Sequence, residues 1–382
     1  MKKICIVTTM ESSIKNWFYP IFDDYAKLDL DVTVVCNMSE EYQQFLKETY
    51  PAVHTKSLPF PRGISLLGSL KSIALLRRFL KEQKFDYIQY HTPNAALYAS
   101  IAGKMCKIPI RVYGQWGIRY VSVRGAKRHI LKLLEKITCM ASTHIHAQSP
   151  KNMQLNITEG LCKPEKISVV GIGGTIGVDF QEFDITQKEN YREEVRKQYG
   201  LSDSDFLFGF IGRIHKDKGI NELTEAFGAI KGAKLMVIGD YDKNYPPKEE
   251  NWAKIQDSPD IIYVDRIPRA EVGKYLSAMD VFAYPTYREG FGHILQEAMT
   301  MGIPVITTDI PGPSEVVEDG ISGILVPVRN VEQLSEAMNE LMSDVGKREL
   351  FSMNSRKRAE QYFEKSIMVG HIMDDYRETL QL

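Results

Sequence analysis

The segment VFAYPTYREGFGHILQEAMTMGIPVITTDIPGPSEVVEDGISGILVP, residues 281–327, has the strand–loop–helix–strand pattern of a parallel α/β sheet. An apolar run that ends at Tyr284 predicts a buried strand. After a loop with two glycines, apolar residues at helical spacing between Ile294 and Met299 predict a helix, which Gly302 ends before the next strand. Backbone N–H groups and the helix dipole favour an anion at such a turn, most often a phosphate. The pattern therefore predicts an α/β fold with a phosphate site in this loop.

Two carboxylates bracket the glycine-rich loop, Glu289 in the loop and Glu297 in the helix. A carboxylate beside a diphosphate would be repelled, but one about 5–8 Å further along a helix can accept two hydrogen bonds from the diol of a ribose. Glu289 can meet the hydroxyls of whatever group is attached to the far phosphate. The alternative is structural: Glu297 would be a solvated helix residue and Glu289 a partner of the helix dipole.

A second strand-to-helix turn lies in FLFGFIGRIHKDKGINELTEAF, residues 206–227. An apolar strand leads to Gly212 and Arg213, and Lys218 and Gly219 come before an amphipathic helix. A guanidinium and an ammonium five residues apart can both reach one diphosphate, and such cations stabilise the charge that develops on a leaving group. A merely solvated basic turn would have the same local pattern, so this turn alone leaves both interpretations open.

Together, G-R-x4-K-G at residues 212–219 and E-G-F-G-x4-E at residues 289–297 resemble the motifs of the retaining nucleotide-sugar glycosyltransferases of family 4, which have the GT-B fold. The resemblance is strong over residues 200–345 and looser in the N-terminal half. It implies an α/β protein of two Rossmann-like domains, parallel sheets with helices on both faces, that face a central cleft. The expected parts are an acceptor-binding domain (1–183), a nucleotide-sugar-binding domain (184–363) and a helix that crosses back to the first domain (364–382).

The resemblance also implies roles for the motif residues. Arg213 and Lys218 would neutralise the diphosphate and Glu289 would contact the sugar, which makes these three the expected catalytic residues. Leaving-group stabilisation and positioning would supply most of the rate, with no covalent nucleophile and with the departing phosphate taking the proton of the incoming hydroxyl. The other residues expected to bind the donor are Gly212, Gly290, Phe291, Gly292, Glu297, Arg266 and Ile267.

Polar residues and glycines follow three predicted strands of the N-terminal half. Because the carboxyl ends of parallel strands line the ligand crevice, they are candidate contacts for the acceptor. Many relatives in the family place a histidine, thought to assist near the transferred sugar, where this chain has Trp116, so the chemistry of that loop stays open. His91 could equally be a structural histidine. The candidates are His91, Gln115, Trp116, Arg119 and Gly173.

Charge is divided unevenly in a chain whose net charge is −1. Residues 1–180 hold 24 Lys and Arg against 14 Asp and Glu, and residues 122–137 predict a basic amphipathic helix. A basic half points to an anionic partner, and such a helix could lie on an anionic membrane surface. It could equally pack on the sheet with its charges solvated.

Several other classes of protein are disfavoured. No apolar run is long enough to span a membrane, the N-terminus leads into a strand and not a signal peptide, and the five cysteines are scattered singly. These features predict a cytoplasmic protein, peripheral on the inner face of the membrane. The turn after the first strand lacks the G-x-G-x-x-G of a dinucleotide oxidoreductase. No metal is expected, because Arg213 and Lys218 already meet the diphosphate charge. No other cofactor and no nucleic-acid partner is predicted.

The resulting hypothesis is a retaining, metal-independent glycosyltransferase. It would move a hexose or N-acetylhexosamine from a nucleoside diphosphate sugar, with UDP as the expected nucleotide, to a polyprenyl-diphosphate-linked saccharide in bacterial capsule or surface polysaccharide synthesis. Two alternatives stay open: a transferase with a soluble glycan acceptor, and a catalytically silent GT-B subunit that activates a partner transferase. Trp116 motivates the second, whereas the intact Arg213, Lys218, Glu289 and Glu297 argue against it.

Overall fold

The computed structural model describes residues 1–61, 65–174 and 176–382, apart from the side chains of Leu66 and Ser122. These residues form two compact units, Met1–Ile176 with Met368–Leu382, and Gly177–Ile367. The domain limits expected from the sequence were 183/184 and 363/364, and the limits of these two units are 176/177 and 367/368.

The first unit is built on a seven-stranded parallel sheet. Its elements in chain order are β1 (Lys2–Met10), α1 (Glu11–Trp17), α2 (Phe22–Lys27), β2 (Leu30–Asn37), α3 (Glu40–Thr49), β3 (Val53–Ser57), α4 (Leu66–Gln83), β4 (Tyr87–Tyr90), α5 (Pro93–Met105), β5 (Ile110–Gln115), α6 (Ala126–Ala141), β6 (His144–Ala147), α7 (Pro150–Thr158), β7 (Ile167–Ser168) and most of α16 (Lys365–Leu380). The strand order is β3-β2-β1-β4-β5-β6-β7.

Both faces of this sheet are apolar, and helices cover both. Along β4, Ile88 and Tyr90 belong to the core beneath α4, α5 and α6, while Tyr87 packs on the opposite face against Tyr376 of α16. Successive side chains of a strand point to opposite faces, so a strand buried on both sides is a near-continuous apolar run.

The helix predicted over residues 122–137 has wrong boundaries. α6 begins at Ala126, because Gly125 has a φ of +68°, and it ends at Ala141. Its buried face carries Leu131, Glu135 and Cys139. Ile130 and Leu133 are 53% and 58% exposed and lie on the solvent side. The apolar residues of this helix are therefore divided between two faces.

The second unit is built on a six-stranded parallel sheet. Its elements are α8 (Lys188–Gln198), β8 (Phe206–Ile211), α9 (Ile220–Phe227), β9 (Ala233–Ile238), α10 (Glu249–Asp257), β10 (Ile261–Val264), α11 (Val272–Ala278), β11 (Val281–Tyr284), α12 (His293–Thr300), β12 (Val305–Thr308), α13 (Pro313–Val316), β13 (Gly323–Val326), α14 (Val331–Ser343) and α15 (Val345–Tyr362). The order is β10-β9-β8-β11-β12-β13. Helix α9 packs with α14, α8 with α11, and α12 with α15.

Each sheet reverses its strand order at one point, between β1 and β4 in the first unit and between β8 and β11 in the second. Ligands of open α/β sheets bind in the crevice at such a switch point, outside the carboxyl ends of the strands. His91 follows β4, Arg213 follows β8 by one residue, and residues 285–292 follow β11. The topology therefore places predicted site residues of both halves at switch points.

Candidate functional site

In the second unit, the loops that follow β8 and β11 lie directly against each other. Gly219 has a φ of +71°, and a Cβ atom there would lie 1.9 Å from the carbonyl oxygen of Pro285. The N–H of Tyr287 donates to the carbonyl of Asp217 at 2.8 Å. Only glycine permits this approach, and it brings Lys218 beside the glycine-rich loop.

Lys218 and Tyr284 both bind the carboxylate of Glu289. The Lys218 Nζ lies 2.5 Å from Glu289 Oε2, and the Tyr284 hydroxyl donates to the same oxygen at 3.0 Å. The N–H of Gly290 donates to Oε1 at 3.2 Å. Two of the three predicted catalytic residues are thus in direct contact.

The Glu289 carboxylate is ionised at neutral pH. Burial by itself raises the pKa of this carboxyl, but the charge and hydrogen bond of Lys218, with the bonds from Tyr284 and Gly290, lower the pKa below its ordinary value. Glu289 can therefore accept hydrogen bonds from a ligand but has no proton to donate to one.

Arg213 carries an accessible cation at this site. Its side chain is 61% exposed, and its Nη1 donates to Asp242 Oδ2 at 3.3 Å. An exposed pair of this kind contributes little free energy, so the guanidinium can turn toward an arriving anion at small cost. Gly212, one residue earlier, extends the pairing of β8 with β9, because its N–H donates to the carbonyl of Ile238.

Glu297 is buried in the first turns of α12 and is held by two side chains. Arg269 Nη1 lies 2.7 Å from Glu297 Oε1, and His293 Nε2 lies 3.2 Å from the same oxygen. Burial raises the pKa of Glu297, but His293 and Arg269 outweigh it, so the pKa is lowered and the carboxylate is charged. The interpretation of Glu297 as a solvated helix residue is wrong, since it is 3% exposed.

Sequence reasoning missed Arg269 and His293. His293 lies four residues before Glu297 on one helix, and this spacing predicts that the two side chains are in contact. Arg269 precedes α11 and lies 24 residues before His293, and no local pattern links it to Glu297. Arg269 also contacts His293 Nε2 at 3.3 Å, Glu182 at 3.6 Å and the ring of Phe183.

The remaining predicted donor residues lie in the loops after β10 and β11. Arg266 is exposed and its Nη1 lies 3.7 Å from Asp240 Oδ2, and Ile267 is half-buried in the same loop after β10. Phe291 is 4% exposed and packs edge-on to Phe363. Phe291 supports the loop in which Gly290 and Gly292 lie. The contacts of all these residues with a donor stay predictions.

In the first unit, His91 and Trp116 come together in a cavity. Their rings stack with centroids 4.2 Å apart, and both line a space of about 80 Å³ at the carboxyl ends of β4, β5 and β6. Gly174 lines the same cavity, and the neighbouring Gly173 is buried with its N–H bonded to the carbonyl of Val170. Thr175 of this glycine-dense turn lies outside the described residues.

Gln115 and Arg119 do not line this cavity. Gln115 is the last residue of β5, and pleating turns its side chain toward α6. There its Nε2 donates to Glu135 Oε1 at 2.6 Å, and its Oε1 accepts from Asn156 at 2.7 Å. An acceptor contact from Gln115 would have to break this buried network. Arg119 is half-buried in the short 3-10 helix that precedes α6.

No group of three or more His, Cys, Asp or Glu residues that could hold a metal ion occurs in the described ranges. The expectation that no metal is needed stays a prediction.

Models of two glycosyltransferase families match the two halves of the chain. Residues 191–358 match the glycosyl transferases group 1, and residues 20–173 match a glycosyl transferase 4-like domain. The chain is 33% identical to the capsular polysaccharide biosynthesis glycosyltransferase CapM of Staphylococcus aureus, over 93% of this chain and 92% of that one. The chain belongs to the group 1 glycosyltransferases.

This glycosyltransferase is also similar to two further proteins, one in sequence and one in fold. It is 24% identical to the UDP-Gal:α-D-GlcNAc-diphosphoundecaprenol α-1,3-galactosyltransferase of Escherichia coli, over 82% of this chain and 80% of that one. Sucrose-phosphate synthase from Thermosynechococcus elongatus has the same fold, with a TM-score of 0.80 at 17% identity over all of both chains. The predicted fold class, GT-B with two Rossmann-like domains, is confirmed.

Proposed function

We propose that this glycosyltransferase moves a sugar from a UDP-sugar to a saccharide carried on a polyprenyl diphosphate, with retained anomeric configuration, in capsule or other surface polysaccharide synthesis. The observation that supports the donor half of this proposal is the pair of cation-held carboxylates at the switch point of the second sheet. One unit thus contains cations that can bind an anion and carboxylates that can bind a diol. The two pairs are Lys218 with Glu289 and Arg269 with Glu297.

Donor binding would exchange partners within this site. A diphosphate brings negative charge to Lys218 and Arg213, while Glu289, kept ionised, accepts hydrogen bonds from the sugar hydroxyls. Glu297 has one oxygen bound by Arg269 and His293, and its second oxygen is directed to a diol in this proposal. Lys218 and Arg213 then stabilise the charge that develops on the leaving diphosphate as the glycosidic bond to it breaks.

Retention is proposed to proceed without a covalent enzyme intermediate. Glu289 is a poor nucleophile here because Lys218, Tyr284 and Gly290 all bind its oxygens. The departing phosphate is then the base that removes the proton from the acceptor hydroxyl.

The acceptor half of the proposal draws on the relative from Escherichia coli, whose name specifies a sugar on diphosphoundecaprenol. No helix in the described part of the chain is long and apolar enough to cross a membrane. A lipid-linked acceptor would therefore be met at the membrane surface, and we propose that the basic first unit binds anionic headgroups there. Each Lys or Arg near such a surface contributes about 1 kcal/mol.

A thermal-shift series tests the donor half. UDP and UDP-sugars should raise the Tm of the wild-type protein, since a ligand at 100 times its Kd stabilises a protein by about 2.7 kcal/mol. Lys218→Gln should lose most of this stabilisation, and Lys231→Gln, which removes an exposed lysine far from the motif, should keep it. If no nucleoside diphosphate stabilised the wild type, the proposed donor site would be wrong.

Transfer assays with lipid-diphosphate-linked and soluble saccharides then distinguish the three functional hypotheses: a lipid-linked acceptor, a soluble acceptor and a silent subunit. Transfer to the soluble acceptor alone would contradict the proposed acceptor. UDP-sugar binding with no transfer to any acceptor would favour the silent-subunit alternative.

A further inference from the structure

The cavity in the first unit has the composition of a site for a small neutral group. Five aromatic residues form part of its wall, Trp17, Phe18, Tyr25, Trp116 and Tyr376. Polar side chains of His91 and Gln148 face it from the ends of β4 and β6. At about 80 Å³ it has room for two or three water-sized groups, because a water molecule occupies about 30 Å³ of liquid.

His91 is the feature of this cavity that needs explanation. It is 3% exposed, and neither ring nitrogen makes a hydrogen bond of good geometry to the described residues. The backbone of Gly114 lies close enough to the ring to raise the pKa of His91, but this effect is smaller than those of burial and His146. A buried polar group without a partner is costly, and in most proteins such a group meets water or a ligand. The neighbouring strand makes room for the ring: a Cβ at Gly114 would lie 1.9 Å from His91 Cε1.

The cavity does not suit an anion. Burial, and then the neighbouring His146, lower the pKa of His91 to about 3, and burial lowers the pKa of His146 to about 4. Both rings are therefore uncharged at neutral pH. Among the described residues, the lining contains no Lys or Arg, and it includes Asp375, whose Oδ1 lies 3.3 Å from His146 Nε2. A phosphate would find no cation here.

We propose that this cavity receives the acetamido group of an N-acetylhexosamine residue of the donor or the acceptor, an inference that rests on the proposed function. The methyl group would lie against the aromatic wall, and the N–H of the neutral imidazole would donate to the amide carbonyl. A hydroxyl in the same place would leave most of the apolar wall without contact. An acetamido group satisfies the buried imidazole and fills the space beside it.

Binding measured by tryptophan fluorescence tests this directly, because Trp17 and Trp116 are two of the three tryptophans of the chain and both line the cavity. The ligands are matched pairs that differ only in the acetamido group. One pair is UDP-N-acetylglucosamine and UDP-glucose, and the other is the same two sugars on the diphosphate of a short polyprenol. The corresponding galacto-configured pairs complete the series.

In the donor pair or in the acceptor pair, we expect the acetamido ligand to bind the wild type at least about tenfold more tightly than its hexose counterpart. The pair that shows the difference identifies the source of the group. Val170→Phe, at a half-buried position of the lining, and His91→Phe should each bring the ratio close to one, while the exposed His129→Phe should leave it unchanged. The two cavity variants are independent, so misfolding of one leaves the other to decide.

Equal affinities within every pair would overturn this inference, as would a preference that both cavity variants retain. Either result is distinct from failure of the proposed function. A wild-type protein stabilised by UDP but indifferent to the acetamido group would keep its donor site and lose only this subsite.

Discussion

Glu289 and Glu297 are charged carboxylates in a largely buried environment, and each is bound to a cation of the same unit. Lys218 holds the first and Arg269 the second. Removal of one partner from a buried ion pair leaves an uncompensated charge, which is strongly unfavourable. A ligand that binds here therefore has to compete with, or add to, contacts that these side chains make with each other.

Arg269→Gln tests whether Arg269 positions Glu297 for the donor. The loss of the guanidinium removes one of the two groups that lower the pKa of Glu297, so this pKa rises. We expect UDP to bind roughly tenfold more weakly at neutral pH, equivalent to about 1.4 kcal/mol. As the pH falls, binding to the variant should be lost at a higher pH than in the wild type, because the carboxylate is protonated earlier. Calorimetric titration with UDP over a pH series measures both effects.

The matched variants are Arg269→Lys, which keeps the charge and should recover part of the affinity, and Lys254→Gln, which removes an exposed cation of α10 and should change nothing. An unchanged pH profile in Arg269→Gln would show that Arg269 has a purely structural role.

At the scale of elements, α6 has two distinct faces. Its buried side places Glu135 against Tyr113 and Gln115, and burial raises the pKa of Glu135. Its solvent side carries Ile130 and Leu133. An exposed apolar pair between basic residues is the arrangement of a helix that lies in a membrane interface.

The double variant Ile130→Ser with Leu133→Ser should bind phosphatidylglycerol vesicles at least about tenfold more weakly, since burial of one Leu or Ile side chain is worth about 1.5–3 kcal/mol. Sedimentation with such vesicles measures this, and higher salt should weaken the wild type further by screening its charges. Leu350→Ser, which changes an exposed leucine of the second unit, is the control. Equal binding by wild type and double variant would remove α6 from the proposed membrane surface.

The elements around the site were predictable where local signals were strong. The strand ending at Tyr284, the glycine-rich loop and the helix ending before Gly302 follow from apolar periodicity and a glycine with positive φ, and the structure has them as β11 and α12. The start of α6 was not predictable in this way, because apolar and basic residues continue through Gly125 without a break in the pattern. The backbone angle at that glycine sets the boundary.

At the scale of the whole molecule, the second unit depends on a buried ion pair beneath its sheet. Arg196 of α8 has a side chain 2% exposed, and its Nη2 donates to Asp280 Oδ2 at 2.8 Å. Its other donors bind the carbonyls of Ala278, Ser202 and Asp205. This side chain ties the first helix of the unit to the strands at its centre.

Asp280→Asn should lower the free energy of unfolding by about 3 kcal/mol, because it keeps the shape of the carboxylate but leaves the Arg196 charge buried without a counter-ion. Urea denaturation measures the loss, and Asp257→Asn, at an exposed position of α10, is the control. A loss similar to that of the control would show that water or another carboxylate compensates the guanidinium.

The sequence by itself determined the order of strands and helices around the motifs and the residues of the proposed donor site that lie within one strand-to-helix turn. These depend on periodicity and short spacings, which act over a few residues of chain. The two parallel sheets were expected from the resemblance of these motifs to family 4. Only the tertiary structure brought Arg269 to Glu297 and stacked His91 against Trp116, and only it directed Gln115 away from the cavity. Those contacts join residues twenty or more positions apart, and the order of the strands and the side of the sheet each residue faces decide them.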